Sequence, residues 1–404
     1  MISLLKKKHI KDWCLFDFSI SSYPTLILTF FYGSFYVKQI ADNEIVGTSN
    51  WGFSISIASA LTFLIFSCLL FLRNKGSRKL NLSFFHFFFY SLILSMVGLF
   101  FLEKGSNNIL PLLLIIVSFI SFEVLNFFYN LSLHKISKRS IQGAVSNLGW
   151  ASGYVGGLLS LLLTFIFIKI TKSQNYEFLG FSTFLFIGPF VAFWCLIFGR
   201  SHLNNFKGKT FLIPTIKNIL PELKNSRLPW FLLGYFFFNN GVICIFVFAS
   251  MFASILFGLK ETEILLMGVF INLSGVLGCL VLGRIDDKVG SEKIVISCSL
   301  LLFFLTFSIY FVNSVYLFWI IAILIGFFVG PIQASSRSVI AKRTITKNQT
   351  VSFSIFTIFG SLCSIFGPFL VGIIIDISDS IRLGLCIISL FFIIPVLLYT
   401  INRY

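Results

Sequence analysis

The chain has 404 residues, of which 57% are hydrophobic and only 11% are charged. A soluble domain has about 25% charged residues and needs a polar surface, so this composition excludes a soluble globular protein and indicates a polytopic membrane protein. The formal net charge of +16 could suggest a nucleic-acid partner, but the distribution of the basic residues along the chain predicts a membrane topology instead.

Twelve apolar stretches follow one another along the chain. Each is about 20 residues long, which is the length of a helix that crosses a bilayer core of about 30 Å. The predicted fold class is therefore an all-α membrane protein with twelve transmembrane helices. The predicted spans cover residues 13–37, 50–72, 82–102, 108–132, 143–168, 178–199, 229–257, 264–283, 293–312, 315–335, 350–375 and 381–400.

The connections between the predicted spans are alternately rich and poor in basic residues. The two termini and every second connection together hold 25 of the 31 Lys and Arg residues. Basic connections stay in the cytoplasm, so both termini are predicted to lie there, with the protein in the inner membrane of a bacterium. The basic face suits anionic lipid; we therefore expect the bilayer, and no nucleic acid, as its partner, and we expect a monomer.

The longest connection divides the chain into two parts with six spans each. It covers residues 200–227 and carries six Lys and Arg residues against a single Glu. The sequence thus predicts an N-terminal six-helix half over residues 1–199, a basic cytoplasmic linker over residues 200–227, and a C-terminal six-helix half over residues 228–404.

The two predicted halves resemble each other weakly. Trp13 opens the first span, and Pro24 follows eleven residues later; Trp230 opens the seventh span, and Gly241 follows at the same distance. Interrupted spans at matching positions of two halves are typical of transporters whose binding site lies between the halves. The alternative is that such a glycine only permits a close helix–helix contact.

A dense group of charges lies between the eighth and ninth predicted spans, in the stretch GRIDDKVGSEK. It fits the pattern G-x-x-x-D-[RK]-x-G-x-x-[RK] and so resembles the signature cytoplasmic loop of the major facilitator superfamily. The resemblance implies a latch in which Asp287 faces the positive N-terminal end of a helix in the other half, with Arg337 of its own half as the expected partner. The alternative is an ordinary solvated turn. The expected gating residues are Gly283, Asp287, Lys288, Gly290, Lys293 and Arg337.

Four further segments resemble the vacuole-effluxer-like branch of that superfamily, which is known for amino-acid export from fungal vacuoles. They are WCLFDFSISSY near the N-terminus, FFYNLSLHKI followed by SNLGWASGYVGG, FNNGV in the seventh span, and PIQASSRSVIAKR followed by FGSLCSIFGP. Together they cover most of the chain. The resemblance implies the major facilitator fold and a carrier of amino acids or similar zwitterions.

The chain departs from these patterns at three positions. Arg73 stands where the superfamily has an acidic residue in the equivalent loop of the first half. Asn240 replaces the acidic residue of the branch in the seventh span, and Ser361 replaces its Lys in the eleventh. The loss of one acid and one base weakens the transfer of an ion-coupling mechanism to this chain.

Ionisable residues inside the predicted spans are the first candidates for a site. A charged side chain in the bilayer costs at least about 2.5–3.5 kcal/mol on insertion scales, so we expect a function for Glu123, near mid-membrane, and for Asp17. Glu123 is expected to accept from a substrate ammonium or to carry a coupling proton. The alternatives are that Glu123 only hydrogen-bonds Asn126 or a neighbouring helix, and that Asp17 only caps the first span or lies in the membrane interface.

A zwitterion also needs hydrogen-bond donors for its carboxylate. Asn239 and Asn240 of the seventh span and Tyr23 of the first span are expected to supply them, with Pro24 and Gly241 freeing backbone groups nearby. The expected substrate-binding residues are Asp17, Ser21, Tyr23, Glu123, Asn126, Tyr129, Asn130, Trp150, Asn239 and Asn240.

Other function classes fit the sequence less well. An enzyme would need a nucleophile or an acid–base pair, and the sequence has neither metal-ligand spacing nor a phosphate loop, so we expect no catalytic residue, metal or cofactor. The leading interpretation is a secondary active transporter of an amino acid or similar zwitterion, by export or exchange. The alternatives are proton-linked transport of another small metabolite and a non-transporting receptor on a carrier fold.

The predicted topology is tested by labelling single cysteines. We expect a cysteine at Lys209 and a cysteine at Ser380, each in a background without native cysteines, to react with an impermeant maleimide from opposite sides of the membrane. The reason is the segregation of basic residues to one face. Labelling of both positions from the same side would contradict the twelve-span arrangement.

Overall fold

The computed structural model describes residues 5–71, 78–80, 82–102, 109–136, 142–171, 177–178, 181–205, 211–213, 228–343 and 349–401. Within these ranges the chain is almost entirely helical, which confirms the predicted all-α fold class. The long helices are α1 (Lys8–Ile20), α2 (Glu44–Phe71), α3 (Leu82–Gly98), α4 (Ile109–Ile136), α5 (Gln142–Thr171), α6 (Ile187–Asn205), α7 (Leu228–Phe257), α8 (Glu261–Val289), α9 (Ser291–Ile309), α10 (Val315–Arg343), α11 (Gln349–Ser378) and α12 (Ile381–Ile401).

Eleven helical segments of the described chain are long and apolar enough to cross a membrane. The sixth predicted span differs, because its apolar helix is shorter and covers Phe184–Arg200. Residues that were expected at its start form the strand pair β2 (Glu177–Phe178) and β3 (Phe181–Ser182) and a 3₁₀ turn instead. A helix tolerates proline in its first turn but not in its interior, so Pro189 favours a helix that begins at Ile187.

The first span is not a continuous α-helix. Beyond α1, a π-helical segment covers Pro24–Phe30, and a second one, Tyr36–Ile40, follows a short α-helical turn. Pro24 has no N–H, and its ring disturbs the preceding turn, so the interruption predicted at this residue is present.

The matching interruption predicted at Gly241 is absent. Helix α7 runs through this residue without a break. A Cβ atom at Gly241 would lie 2.7 Å from the ring of Phe392 on α12, so the glycine permits a close contact between two helices. The two halves therefore do not share a broken helix at this position.

The main helix contacts recur in two sets of six helices. In the first set α1 packs on α5 and α6, α3 packs on α4 and α6, and α2 packs on α4. In the second set α7 packs on α11 and α12, α9 packs on α10 and α12, and α8 packs on α10. Adding six to each helix number of the first set gives the second set, so both sets have the same architecture.

Two seams join the first six helices to the last six, one between α2 and α11 and the other between α5 and α8. The helices approach closely at both. A Cβ atom at Gly52 on α2 would lie 2.9 Å from the Pro368 carbonyl oxygen of α11, and one at Gly157 on α5 would lie 3.0 Å from the Asn272 Oδ1 of α8. Small residues of this kind allow tight helix packing in membranes.

Large apolar side chains cover the outer surface of the helices. Leu94 is 69% exposed, Phe193 is 62% exposed and Phe304 is 57% exposed. A surface with many such residues would associate in water, whereas in a bilayer it contacts acyl chains. The chain is thus an integral, multi-pass membrane protein.

A short antiparallel sheet lies outside the helices. Strand β1 (Arg78–Leu80) precedes α3, and strand β4 (Phe211–Ile213) belongs to the predicted linker. Arg78 pairs with Ile213 and Leu80 with Phe211. Helix α6 runs to Asn205, so the connection to the last six helices starts later than residue 200.

Helix α5 crosses α1 at very short range. A Cβ atom at Gly156 would overlap the backbone carbonyl of Phe18 on α1. We expect Gly156→Ala to lower the free energy of unfolding by about 1–3 kcal/mol, because overpacking of this size forces helices apart. The measurement is the apparent Tm in detergent.

The matched control for this substitution is Val155→Ala, one residue away on the same helix. Val155 is 38% exposed, and changes at such surface positions stay within about 0.5 kcal/mol. Equal values of the apparent Tm for the two variants would contradict the close crossing of α1 and α5.

Candidate functional site

A cavity of about 330 Å³ lies between the two sets of helices. Small-molecule sites have volumes of about 300–1,000 Å³, so this volume suits a small solute. Residues of α1, α4 and α5 line one side, and residues of α7, α8, α10 and α11 line the other. Seven of the ten predicted substrate-binding residues line the cavity, namely Asp17, Ser21, Glu123, Asn126, Asn130, Trp150 and Asn239.

Two residues that were expected to bind a carboxylate are used in helix packing instead. The Tyr23 hydroxyl is fully buried and hydrogen-bonds the Ser118 Oγ at 2.9 Å. The Asn240 side chain donates to the Phe236 carbonyl at 2.7 Å, and its Oδ1 accepts from the Gly367 N–H at 2.7 Å. Asn240 thus joins α7 to α11, and neither residue lines the cavity.

Asp17 lies on the wall of the cavity, where its carboxylate contacts Tyr129 of α4 and Ser21 of the first span. The Tyr129 hydroxyl donates to Asp17 Oδ2 at 3.0 Å, and the Ser21 hydroxyl lies 3.5 Å from Oδ1. Tyr129, the third predicted residue outside the cavity, stacks on Trp13 with ring centroids 4.1 Å apart. The Trp13 N–H donates to the Tyr129 carbonyl and to Ser132 Oγ. The start of the first span is therefore fixed against α4, and Asp17 faces the cavity rather than capping a helix.

Glu123 lines the cavity near the middle of α4. Its carboxylate makes no hydrogen bond or ion pair with any residue of the described ranges, Asn126 included. Its charge interacts electrostatically with the hydroxyls of Tyr23 and Tyr235. Glu123 therefore does not hydrogen-bond Asn126 or a neighbouring helix within the described residues, which was the alternative interpretation. Its carboxylate is free to contact a molecule in the cavity.

Arg337 lines the cavity. Its guanidinium carbon is 5.0 Å from the centroid of the Trp150 ring on α5, a cation–π contact between the two sets of helices. It also interacts electrostatically with Asp17. The predicted tenth span ends at residue 335, whereas α10 continues to Arg343. Basic residues near a helix C-terminus favour such an extension, and it places Arg337 inside the bundle.

The charged loop after α8 is only partly described. Helix α8 ends at Val289, and Gly290 has φ +103°, a conformation that favours glycine. Gly283 is partly exposed and Lys293 is exposed. The side chains of Asp287 and Lys288 lie outside the described residues, so the predicted latch stays a prediction.

The neighbouring acidic residue, Asp286, is buried at the end of α8. Its carboxylate accepts from the Ser335 hydroxyl of α10 at 2.8 Å and from the Ser291 hydroxyl at the start of α9. This contact ties three helices of the second set together. The sequence pattern pointed to Asp287, whose side chain lies outside the described residues, and did not single out Asp286.

Solved structures show which fold this arrangement is. The proton:xylose symporter XylE of the major facilitator superfamily matches with a TM-score of 0.67 at 11% identity, over 98% of this chain and 95% of that chain. The human organic anion transporter MFSD10 (TETRAN) matches with a TM-score of 0.65 at 12% identity, over 97% and 98%. The chain has the major facilitator fold.

Sequence comparison gives the family. The family model described as "Vacuole effluxer Atg22 like" matches residues 128–403, and the chain belongs to this family. An uncharacterized MFS-type transporter, YxiO of Bacillus subtilis, is 23% identical over 97% of this chain and 94% of its own length. Autophagy-related protein 22 of Cryptococcus neoformans is 24% identical over 66% of this chain and 52% of its own length, so the chain spans about half of this fungal relative.

The Asp286 contacts predict an effect on stability. We expect Asp286→Ala to lower the free energy of unfolding by about 1–3 kcal/mol, because two buried hydroxyls lose their acceptor. The apparent Tm in detergent measures it. Asp376→Ala, which removes an exposed carboxylate from α11, is the control and should leave the Tm nearly unchanged. An Asp286→Ala protein as stable as this control would contradict a structural role for the carboxylate.

Proposed function

We propose that the protein is a secondary active transporter that moves an amino acid or similar small zwitterion by alternating access, in export or exchange. One observation carries this proposal. The cavity is lined by side chains of opposite charge that belong to different sets of helices, Glu123 to the first six and Arg337 to the last six. Neither makes a hydrogen bond or an ion pair within the described chain, so both charges are available to a zwitterion.

The ammonium group of the solute is assigned to Glu123. A buried charge without a partner is unfavourable, and a cationic ligand group offsets that cost. Ser21 and Asn126 line the same cavity and offer neutral oxygen atoms to the remaining N–H groups. The name of the family, vacuole effluxer, supports export as the direction of transport.

The conformational change is assigned to the two halves predicted from the sequence, residues 1–199 and 228–404, joined by the basic linker. The repeated helix pairing supports their movement as two bodies. At the predicted outer end, Lys38 Nζ donates to the Ser254 carbonyl at 3.4 Å across the halves. Such a contact must break when the cavity opens outward, and the charged loop of Gly283, Asp287, Lys288, Gly290 and Lys293 is the proposed latch at the opposite, cytoplasmic end.

Proton-linked transport of another small metabolite is the second candidate function. The observation that favours it is a second carboxylate, Asp17, on the wall of the same cavity as Glu123. The acid and the base that this branch carries in its seventh and eleventh spans are Asn240 and Ser361 here, and both are occupied in helix contacts. Any coupling proton would therefore bind at Asp17 or Glu123.

The proposal predicts the effect of Glu123→Gln. This change keeps the shape of the side chain but removes its charge, and hydrogen bonds to charged groups contribute about 1.5–3 kcal/mol. We expect normal membrane expression and a flux of radiolabelled amino acids at least about tenfold lower than that of the unmodified protein. The measurement uses sealed vesicles, with and without a proton gradient.

The control for this experiment is Asp376→Asn, an exposed carboxylate on α11 outside the cavity. It should leave the flux unchanged. A well-expressed Glu123→Gln protein with unchanged flux and unchanged response to the gradient would remove Glu123 from the site. Binding of a solute without flux by the unmodified protein would instead support a receptor on a carrier fold.

A further inference from the structure

We infer that Arg337 and Trp150 form the carboxylate-binding part of the cavity, so that a zwitterion bridges the two sets of helices. Its ammonium group then contacts Glu123 of α4, and its carboxylate contacts Arg337 of α10. This inference rests on the proposed function and adds the orientation of the solute and a residue that determines specificity. The sequence alone predicts another place for the carboxylate, beside Tyr23 and the asparagines of α7.

Two buried N–H donors belong to residues that line the cavity. Arg337 Nη1 and Trp150 Nε1 are both buried, and neither has a hydrogen-bond partner among the described residues. Buried N–H groups without an acceptor are rare and unfavourable. Here two of them belong to side chains that touch each other, with the guanidinium 5.0 Å from the ring centroid. Each of these donors lacks an acceptor that a solute can supply.

Asp17 is a negatively charged residue that interacts with Arg337 without binding its N–H groups. Asp17 interacts electrostatically with Arg337, yet its oxygens accept from Tyr129 and Ser21 instead. No ion pair within 4.0 Å joins Asp17 to Arg337 in the structure. The negative charge of Asp17 thus stabilises the guanidinium cation at this place. Asp17 does not accept from the N–H groups of the guanidinium, so these groups stay available to a ligand.

No other described residue of the cavity wall offers a comparable binding site for a carboxylate. Among the described residues that line the cavity, Arg337 is the only Lys or Arg. Tyr23 and Asn240 are committed to helix packing, and Asn239 Oδ1 already accepts from Gln333 at 2.9 Å. A guanidinium also matches a carboxylate better than any neutral donor does, because it offers parallel N–H groups in one plane.

The position of Arg337 on the second set of helices determines which solutes can contact both sets at once. Glu123 and Arg337 lie on different sets of helices. A solute with only an amine or only a carboxylate contacts one set, whereas a zwitterion contacts both. Differential binding to the closed cavity is what favours closure, so both charged groups of the solute are needed for efficient transport. The carboxylate lies nearer the predicted cytoplasmic end.

The test compares ligands that differ in one charge. Purified protein is titrated with the common L-amino acids and with the matching carboxamides, and binding is measured as ligand-dependent thermal stabilisation. We expect the unmodified protein to prefer the amino acid over its carboxamide by at least about tenfold, as charge-assisted hydrogen bonds predict. In Arg337→Gln this preference should disappear, while in the control Lys169→Gln, an exposed residue of α5, it should be retained.

The outcomes separate this inference from the proposed function. If the unmodified protein binds amino acids and carboxamides equally, or if folded Arg337→Gln keeps the full preference, the inference is wrong and the proposed function stands. If no amino acid binds, both are wrong. Should Arg337→Gln fail to fold, Trp150→Phe keeps an aromatic six-membered ring at this place and removes the indole N–H together with the five-membered ring that carries it. We expect it to lower the preference about tenfold, and an unchanged preference in that variant would overturn the inference.

Discussion

A polar group inside a bilayer core must find its partner within the protein, because lipid offers none. Many polar side chains of the described residues obey that constraint by local bonds, such as that of Ser59 to the carbonyl four residues earlier. Others join helices, as Asn240 does between α7 and α11. Glu123 and Arg337 line the cavity without a hydrogen bond or an ion pair within the described residues. Under the proposed function, a solute supplies the partners of both charges.

The number and order of the helices follow from hydropathy alone, because each span must bury a length of chain fixed by the bilayer. Details within a span depend on contacts that one sequence does not show. Pro24 breaks the first span through its own covalent structure, and this was predictable. Gly241 has no such effect, since a glycine in a membrane helix is retained as readily for close packing, here against Phe392.

The candidate site was predictable in its residue types more than in its geometry. An acid in an apolar span points to function wherever the side chain faces, which is why the sequence proposes Glu123 and Asp17, and both line the cavity. Tyr23 and Asn240 were misassigned because helix rotation decides whether a side chain faces the cavity or a neighbouring helix. Arg337 was assigned only to the latch because hydropathy ended its span at residue 335, whereas α10 continues to Arg343. A cation close to the end of an apolar run was the signal that could have placed it at the cavity.

The glycines at the two seams limit how far side chains can grow there. A Cβ atom at Gly52 would lie 2.9 Å from the Pro368 carbonyl oxygen, and one at Gly157 would lie 2.6 Å from Thr25 Oγ1 and 3.0 Å from Asn272 Oδ1. A larger side chain at either position forces the helices of the two sets apart. In the proposed alternating access, such close seams keep the two sets in contact while the ends of the cavity open in turn.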